Sequence, residues 1–243
     1  TFNTLWKQVG QKLEHYRNYP RLVGECGGKN YHLVHPSADL ENAVNCTIRS
    51  SFEYSGQKCS ACSRLYVPQS LWGKFKEAMV ERMKQLKIGD PTDFSVFTSA
   101  VIDEKAYDRI AGYIGHAKSN LKIVHGGTHS KKEGWFINPT LVETTDPADK
   151  IMREEIFGPV VSAFVYPDAE IDNVLKLVDE TTPFALTGAV FAEDEAFLKK
   201  ATETLKYASG NYYINDRSTG AVVGQQPFGG GRHSGEDFRA VVI

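Results

Sequence analysis

The chain has 243 residues, of which 41% are hydrophobic and 24% are charged, with a formal net charge of −2 and a pI near 6.4. These values are ordinary for a globular protein with a sizeable core, and neither a basic run nor an aromatic-and-basic stripe favours binding to nucleic acid or an anionic membrane. No apolar stretch approaches the ~18 residues of a membrane span, and four cysteines are too few for a disulfide framework, which indicates a reducing compartment.

Helical and strand-like apolar patterns alternate along the chain. The periodicity over residues 5–16 predicts a helix that Pro20 closes, and Leu22-Val23 reads as a short buried strand. Further helices are predicted over residues 39–52, 71–87, 103–117, 171–178 and 195–207, and further strands over residues 31–34, 65–67, 121–124, 135–137, 141–142, 160–165, 186–191 and 212–214. This alternation predicts an α/β fold with a largely parallel sheet.

One cysteine follows a break in the helical pattern. The pattern runs into Gly56, and Cys59 comes just past it. Because a free thiol has a pKa of about 8.5 and is only a few per cent ionised at neutral pH, a nucleophilic Cys59 would need a nearby cation, backbone donors or a base. Lys58 and Arg64 flank it, and Glu25 is a candidate base. The alternative is that Cys59 is a small buried apolar residue, as most free cysteines are.

Other readings of the same motifs are weaker. Cys59 and Cys62 form a C-x-x-C pair, but zinc needs four ligands and no further Cys or His pair lies at finger spacing. A thioredoxin-like dithiol would begin a long helix, whereas a strand and Pro68 follow here. The glycines of residues 229–235 lack the lysine of a phosphate-binding loop, so a tight turn is the better interpretation. No metal site is expected.

Four segments, in this order, resemble the aldehyde dehydrogenase superfamily, and the resemblance extends over nearly all of the chain. They are Glu25-Cys26-Gly27-Gly28-Lys29 (its glutamate signature), Gly56-Gln57-Lys58-Cys59 (its cysteine signature), Glu155-Ile156-Phe157-Gly158-Pro159 (its nicotinamide-ribose motif) and Pro227-Phe228-Gly229-Gly230 through Ser234-Gly235 (its late substrate loop). Within the superfamily, residues 24–30, 59–64 and 218–228 are most similar to the branch that oxidises glutamate γ-semialdehyde in proline breakdown.

The resemblance implies roles for the catalytic and cofactor residues. Cys59 would be the nucleophile and Glu25 the general base that activates water. Glu155 would hold the nicotinamide ribose of NAD, and Phe157 would brace the nicotinamide ring. Without the resemblance, Glu155 would be interpreted as a solvated surface residue and Phe157 as a core residue.

The resemblance also implies how the substrate is held. Ser60, beside the nucleophile, and the backbone of Gly220 and Ala221 would bind the α-amino acid end of the aldehyde. Phe228 would flank its aliphatic stem. A site built to hydrogen-bond a carboxylate and an amine discriminates strongly against a plain alkyl aldehyde, because its own donors are otherwise left unpaired.

A domain division follows from the resemblance. Residues 1–26 would be the last piece of a Rossmann-like NAD-binding domain, and residues 27–243 the catalytic domain, ending before the family's C-terminal oligomerisation strand. Because the family's second oxyanion donor and pyrophosphate turn would precede Thr1, we expect this chain alone to be inactive. The full-length protein is expected to be a homo-oligomer of the mitochondrial matrix. The alternatives are a catalytically silent interaction protein with the same fold, or a dehydrogenase for another aldehyde.

Overall fold

The computed structural model describes residues 1–235, and strands and helices alternate in it from residue 30 onward. The strands are β1 (Asn30–Val34), β2 (Cys62–Pro68), β3 (Lys122–His125), β4 (His129–Ser130), β5 (Phe136–Ile137), β6 (Thr140–Thr144), β7 (Val160–Tyr166), β8 (Phe184–Ala185), β9 (Thr187–Phe191), β10 (Asn211–Ile214) and β11 (Gly231–Arg232). The α-helices are α1 (Phe2–Gly10), α2 (Leu40–Phe52), α3 (Gln69–Lys84), α4 (Glu104–Asn120), α5 (Lys150–Arg153), α6 (Ile171–Glu180) and α7 (Glu195–Leu205).

Seven of the strands form one sheet in the order β10-β9-β1-β2-β7-β6-β3. All neighbours in it are parallel except β3, which is antiparallel to β6. Buried side chains of α4, α6 and α7 pack on one face, and those of α2 and α3 pack on the other. A parallel sheet covered on both faces confirms the predicted α/β fold.

Aspartates begin several of the predicted helices. The side chains of Asp39, Asp103 and Asp194 each accept a hydrogen bond from the backbone N–H three residues later, at the first turn of α2, α4 and α7. Such a cap satisfies a donor that has no partner within the helix and contributes about 1 kcal/mol. These helices therefore start where the sequence pattern places them.

The first thirty residues differ from the sequence-based prediction. The helix α1 ends at Gly10 rather than near Pro20, and a short 3₁₀ turn at Leu13–His15 follows. Leu22-Val23 forms no strand, and Val23 is 71% exposed. Two apolar residues make a strand only when a neighbouring strand pairs with them, and among residues 1–235 none does so. The prediction about the end of the chain concerns residues 236–243, which lie outside the described residues.

Candidate active site

The loop that carries Cys59, residues 56–62 (the nucleophile loop), is reached through a strained turn. Tyr54 and Ser55 have φ values of 56° and 55°, a left-handed conformation that costs a non-glycine residue on the order of 1–2 kcal/mol. Hydrogen bonds from Ser55 to the Thr98 hydroxyl (2.7 Å) and from its own hydroxyl to the Ser99 carbonyl (2.6 Å) stabilise this turn. Strain held in place by buried bonds is typical of segments that present a reactive group.

Gly56 brings the nucleophile loop against the predicted cofactor motif. Its φ is +64°, and a Cβ atom at this position would lie 2.3 Å from the carbonyl oxygen of Gly158. Only glycine permits both the conformation and the approach. The cysteine signature and the nicotinamide-ribose motif therefore approach each other through their backbones.

Asn30 fixes the backbone on both sides of Ser60. Its amide nitrogen donates to the carbonyl oxygens of Cys59 (2.7 Å) and Ala61 (2.9 Å), and its amide oxygen accepts from the backbone N–H of Thr187 (2.9 Å). Because Asn30 lies at the start of β1 and is 2% exposed, these bonds tie the nucleophile loop to the middle of the sheet. Sequence analysis assigned Asn30 no role, although it directly follows the glutamate signature.

The two cations that flank Cys59 in sequence do not face its thiol, so the suggestion that they activate it is wrong. Lys58 pairs with Glu53 at 2.7 Å. Arg64 is 1% exposed and donates to the carbonyl oxygens of Lys29 (2.7 Å) and Val178 (3.1 Å). Side chains of alternate residues in a strand point to opposite faces, and the position of Arg64 inside β2 directs it into the core.

The thiol of Cys59 is half-buried and opposed by a carboxylate. Burial raises its pKa to about 11, and the negative charge of Glu25 adds to the increase. Glu25 is exposed and forms an isolated β-bridge with Gly235. The structure therefore brings the predicted nucleophile and the predicted base together, with the thiol neutral at physiological pH. The second thiol, Cys62, is buried at the start of β2 and does not begin a helix, unlike a thioredoxin-like dithiol.

The two predicted cofactor residues differ in their surroundings: Glu155 is hydrogen-bonded to a neighbouring loop, and Phe157 is exposed. One carboxylate oxygen of Glu155 accepts the backbone N–H of Gly28 at 2.7 Å, which links the cofactor motif to the glutamate signature. Burial raises the pKa of Glu155, and the Gly28 donor opposes that increase. Phe157 is 37% exposed with a φ of 54°, so it is not the core residue of the alternative reading. A carboxylate with an oxygen left to accept a hydroxyl, next to an exposed ring, fits the nicotinamide-ribose end of NAD.

Three of the predicted substrate residues, Ser60, Gly220 and Ala221, lie in two loops. Ser60 is buried, and its carbonyl oxygen accepts from the hydroxyl groups of Thr187 (3.1 Å) and Ser218 (3.0 Å). Through Ser218, the segment that contains Gly220 and Ala221 reaches the nucleophile loop. Both of these residues are half-buried.

Phe228 is placed by a residue that sequence analysis missed. Asn211 at the start of β10 donates to the carbonyl oxygen of Pro227 (2.8 Å) and accepts the N–H of Gly229 (3.2 Å). Asn211 therefore fixes the backbone on both sides of Phe228, which is half-buried. An asparagine at the start of the predicted strand was the only signal for this residue in the sequence.

His32 was also missed. It is 0% exposed in β1, within the apolar run of residues 31–34, and it contacts Thr47 and Ser218. A polar side chain inside an apolar strand is the signal that sequence analysis could have used, because a buried imidazole needs partners. Within residues 1–235, no three His, Cys, Asp or Glu side chains are grouped as metal ligands, and no helix is long and apolar enough to cross a membrane.

The chain belongs to the aldehyde dehydrogenase family, whose sequence model matches residues 4–241. Two curated relatives are similar over almost all of it. Delta-1-pyrroline-5-carboxylate dehydrogenase, mitochondrial, is 57% identical in Danio rerio and 55% identical in Homo sapiens, with 97% of this chain covered in both comparisons.

A crystal structure of the Delta-pyrroline-5-carboxylate dehydrogenase from Mycobacterium tuberculosis has the same fold, with a TM-score of 0.87 and 40% identity over 95% of this chain. A structure of that protein bound with NAD has a TM-score of 0.86. The chain spans 43% and 42% of the length of the two curated relatives and 42% of that crystallised chain.

Proposed function

We propose that the chain is the catalytic part of an NAD-dependent dehydrogenase that oxidises glutamate γ-semialdehyde to glutamate. The observation that carries the proposal is the placement of the Cys59 thiol against the Glu25 carboxylate, with the Glu155 motif in contact with both loops. The 57% identity to a protein named for pyrroline-5-carboxylate supports the substrate, since that ring opens to the semialdehyde.

The reaction needs a nucleophile because an aldehyde carbon does not release its hydrogen with an electron pair until it is tetrahedral. The half-buried thiol of Cys59 loses its proton to solvent, and the thiolate attacks the aldehyde carbon, forming a C–S bond while the carbonyl π electrons move to oxygen. The backbone N–H of Cys59 is a donor for that oxyanion. When bound, NAD would supply the two-electron acceptor for the hydrogen that leaves this carbon, and Glu155 and Phe157 would hold its nicotinamide end.

The second half of the reaction belongs to Glu25. After oxidation, the acyl group remains on Cys59 as a thioester. Glu25 accepts a proton from a water molecule, whose oxygen attacks the thioester carbon. The C–S bond breaks, the thiolate of Cys59 leaves, and glutamate forms. The negative charge of Glu25 also suits this step. It disfavours the thiolate of Cys59 and so favours return of a proton to the sulfur after the acyl group has left.

The proposal extends to the organisation of the whole protein. Residues 1–26 belong with the dinucleotide-binding domain and residues 27–243 with the catalytic domain. Two observations support this division: β1 is the first strand along the chain to join the sheet, and α1 has no buried residues. A homo-oligomer in the mitochondrial matrix, with no nucleic acid or membrane partner, completes the proposal. The names of the curated relatives, which contain the word mitochondrial, support that location.

Steady-state kinetics on the full-length protein tests the substrate. We expect kcat/KM for glutamate γ-semialdehyde to exceed that for pentanal by about 10²-fold or more, because pentanal leaves the polar groups of the site unpaired. Cys59→Ala should abolish reduction of NAD with both aldehydes, whereas Cys46→Ala, which removes a half-buried thiol of α2, should change neither value.

Two outcomes would contradict the proposal in different ways. Equal kcat/KM values for the two aldehydes would point to a dehydrogenase with another substrate. No turnover with any aldehyde would favour a catalytically silent protein with this fold. The raised pKa of Cys59 is the observation that favours this candidate, because it disfavours the reactive thiolate.

A further inference from the structure

A buried polar chain connects the middle of the sheet to the nucleophile loop. In it, Nδ1 of His32 lies 2.9 Å from the Thr47 hydroxyl, and Nε2 lies 3.2 Å from the Ser218 hydroxyl. The same hydroxyl of Ser218 lies 2.7 Å from that of Ser50 and donates to the Ser60 carbonyl at 3.0 Å. His32, Thr47, Ser50 and Ser218 are all 0% exposed, so each of these contacts is shielded from water.

The partners determine which nitrogen of His32 carries the proton. The Thr47 hydroxyl donates to the Ala43 carbonyl at 2.7 Å, so its oxygen can only accept from His32. The hydrogen is therefore on Nδ1. Because the single hydroxyl hydrogen of Ser218 goes to the Ser60 carbonyl, Nε2 accepts the backbone N–H of Ser218, at 3.4 Å, and not its hydroxyl. Burial lowers the pKa of His32 to about 3, which keeps the ring in this neutral form.

Ser218 reaches the nucleophile loop at two places. It contacts the Ser60 carbonyl directly, and through Ser50, whose hydroxyl accepts the N–H of Cys62 at 3.2 Å, it supports the residue where β2 begins. Cys59 directly precedes this supported stretch. Ser218 also directly precedes residues 219–221, the predicted substrate segment.

The three carbonyl groups that follow the thiol are each fixed by a buried side chain. Asn30 binds the carbonyl groups of Cys59 and Ala61, and both Thr187 and Ser218 bind that of Ser60. Asn30 and Thr187 belong to sheet strands. Ser218 is the partner that comes from the substrate side of the site, so a shift of residues 219–221 changes the support of the nucleophile loop.

We propose that Ser218, oriented by neutral His32, is a positioning residue that couples binding of the substrate's α-amino acid end to the alignment of the Cys59 backbone. This inference rests on the proposed function and deepens it. A substrate held by the backbone of residues 220–221 stabilises the conformation in which the Ser218 hydroxyl reaches Ser60. An aldehyde without the amino acid end leaves that conformation unsupported and reacts with a less well aligned nucleophile.

Deletion of one hydroxyl group tests the coupling. Ser218→Ala is expected to lower kcat for glutamate γ-semialdehyde about tenfold and kcat for pentanal by less than about twofold, because only the first aldehyde uses the coupled segment. The matched control is Ser162→Ala, since Ser162 is also 0% exposed and its hydroxyl has no hydrogen-bond partner among the described residues. The control should leave both values unchanged.

A merely structural role predicts another pattern. In that case Ser218→Ala would lower the melting temperature and reduce kcat for both aldehydes by the same factor, which would overturn the proposal. Ser218→Thr, which keeps the hydroxyl, should restore the ratio of the two kcat values. If Ser218→Ala does not fold, Thr47→Val provides a second test, because it removes the acceptor that fixes the His32 proton and should give the same pattern at smaller size.

A readout that needs no turnover separates this proposal from the proposed function. The rate at which iodoacetamide alkylates Cys59, followed by peptide mass spectrometry, is expected to change about threefold or more in Ser218→Ala and to stay unchanged in Ser162→Ala. Alkylation of Cys26 serves as the internal reference. An unchanged rate at Cys59 would overturn the positioning role even if the wild-type enzyme oxidised a different aldehyde.

Discussion

The loop that carries Cys59 and the segment that carries Glu25 are held by different kinds of bond. In the nucleophile loop, buried side chains bind the carbonyl groups of three successive residues. Around Glu25, backbone groups pair with the late part of the chain, where Cys26 donates to the Ser234 carbonyl at 2.9 Å and Glu25 bridges to Gly235. The first is fixed in the core, and the second lies at the surface.

This difference matches what each step of the proposed reaction requires. The thiolate must meet one carbon atom at a short distance and a defined angle, and a misplacement of about 1 Å can cost about 10²-fold in rate. The proposed base, Glu25, would act through a water molecule, which can adjust its own position. We infer that changes at the nucleophile loop have larger effects on turnover than equally small changes beside Glu25.

The largest effect is expected from one added methyl group. A Cβ atom at Gly28 would lie 2.3 Å from the Cys59 carbonyl oxygen, so Gly28→Ala must displace the nucleophile loop. We expect a loss of about 10²-fold or more in kcat/KM. In contrast, Gly115→Ala in α4 places its methyl group in open space and should raise the melting temperature slightly without changing kcat/KM. Wild-type turnover in Gly28→Ala would show that the loop is less rigid than its bonds imply.

Removal of the charge on Glu25 should separate the two halves of the reaction. In Glu25→Gln of the full-length enzyme, a first burst of reduced cofactor should persist, because the thiolate forms without the base. Steady-state turnover should then fall about 10²-fold as the thioester accumulates. Rapid-mixing absorbance at the wavelength of reduced NAD measures both phases. Loss of the burst would contradict the division of roles, and Cys59→Ala, which must lack both phases, is the control.

The smallest effect concerns the pH dependence of the thiol. Because Glu25 adds to the burial that raises the pKa of Cys59 to about 11, Glu25→Gln removes a negative charge that disfavours the thiolate, and the pKa should fall. Alkylation of Cys59 at pH 8 should therefore be faster in the variant, and its midpoint should lie at lower pH. Exposed Glu133→Gln should leave the profile unchanged. An unchanged profile in Glu25→Gln would mean that the carboxylate points away from the thiol in solution.

The sequence predicted elements whose causes are local. α2, for example, begins at the aspartate cap and follows the apolar spacing that its residues display, and both are visible without knowing the rest of the fold. The strand predicted at Leu22-Val23 failed because a strand depends on a pairing partner elsewhere in the chain. For the site, the resemblance supplied Cys59 and Glu25, whose proximity the structure shows.

Side-chain direction in the site was not predictable from sequence. Arg64 lies five residues from Cys59, but it donates to the carbonyl groups of Lys29 and Val178, which are remote in sequence. The partners of His32 are likewise distant. Hydrogen bonds of this kind become visible only when the strand order is known, and strand order is the part of a parallel sheet that local patterns do not encode.

The position of β1 in the sheet has a consequence for the order in which a newly made chain acquires its site. β1 pairs with β2, which follows soon after, and with β9, where Tyr31 lies opposite Gly188. The contact between His32 and Ser218 spans 186 residues. Because the chain is synthesised from its N-terminus at about 5–20 residues per second, and contacts that close long loops form slowly, Cys59 leaves the ribosome well before Ser218 exists. During that interval the nucleophile loop lacks the support of Ser218, which becomes available only when the segment that follows β10 docks.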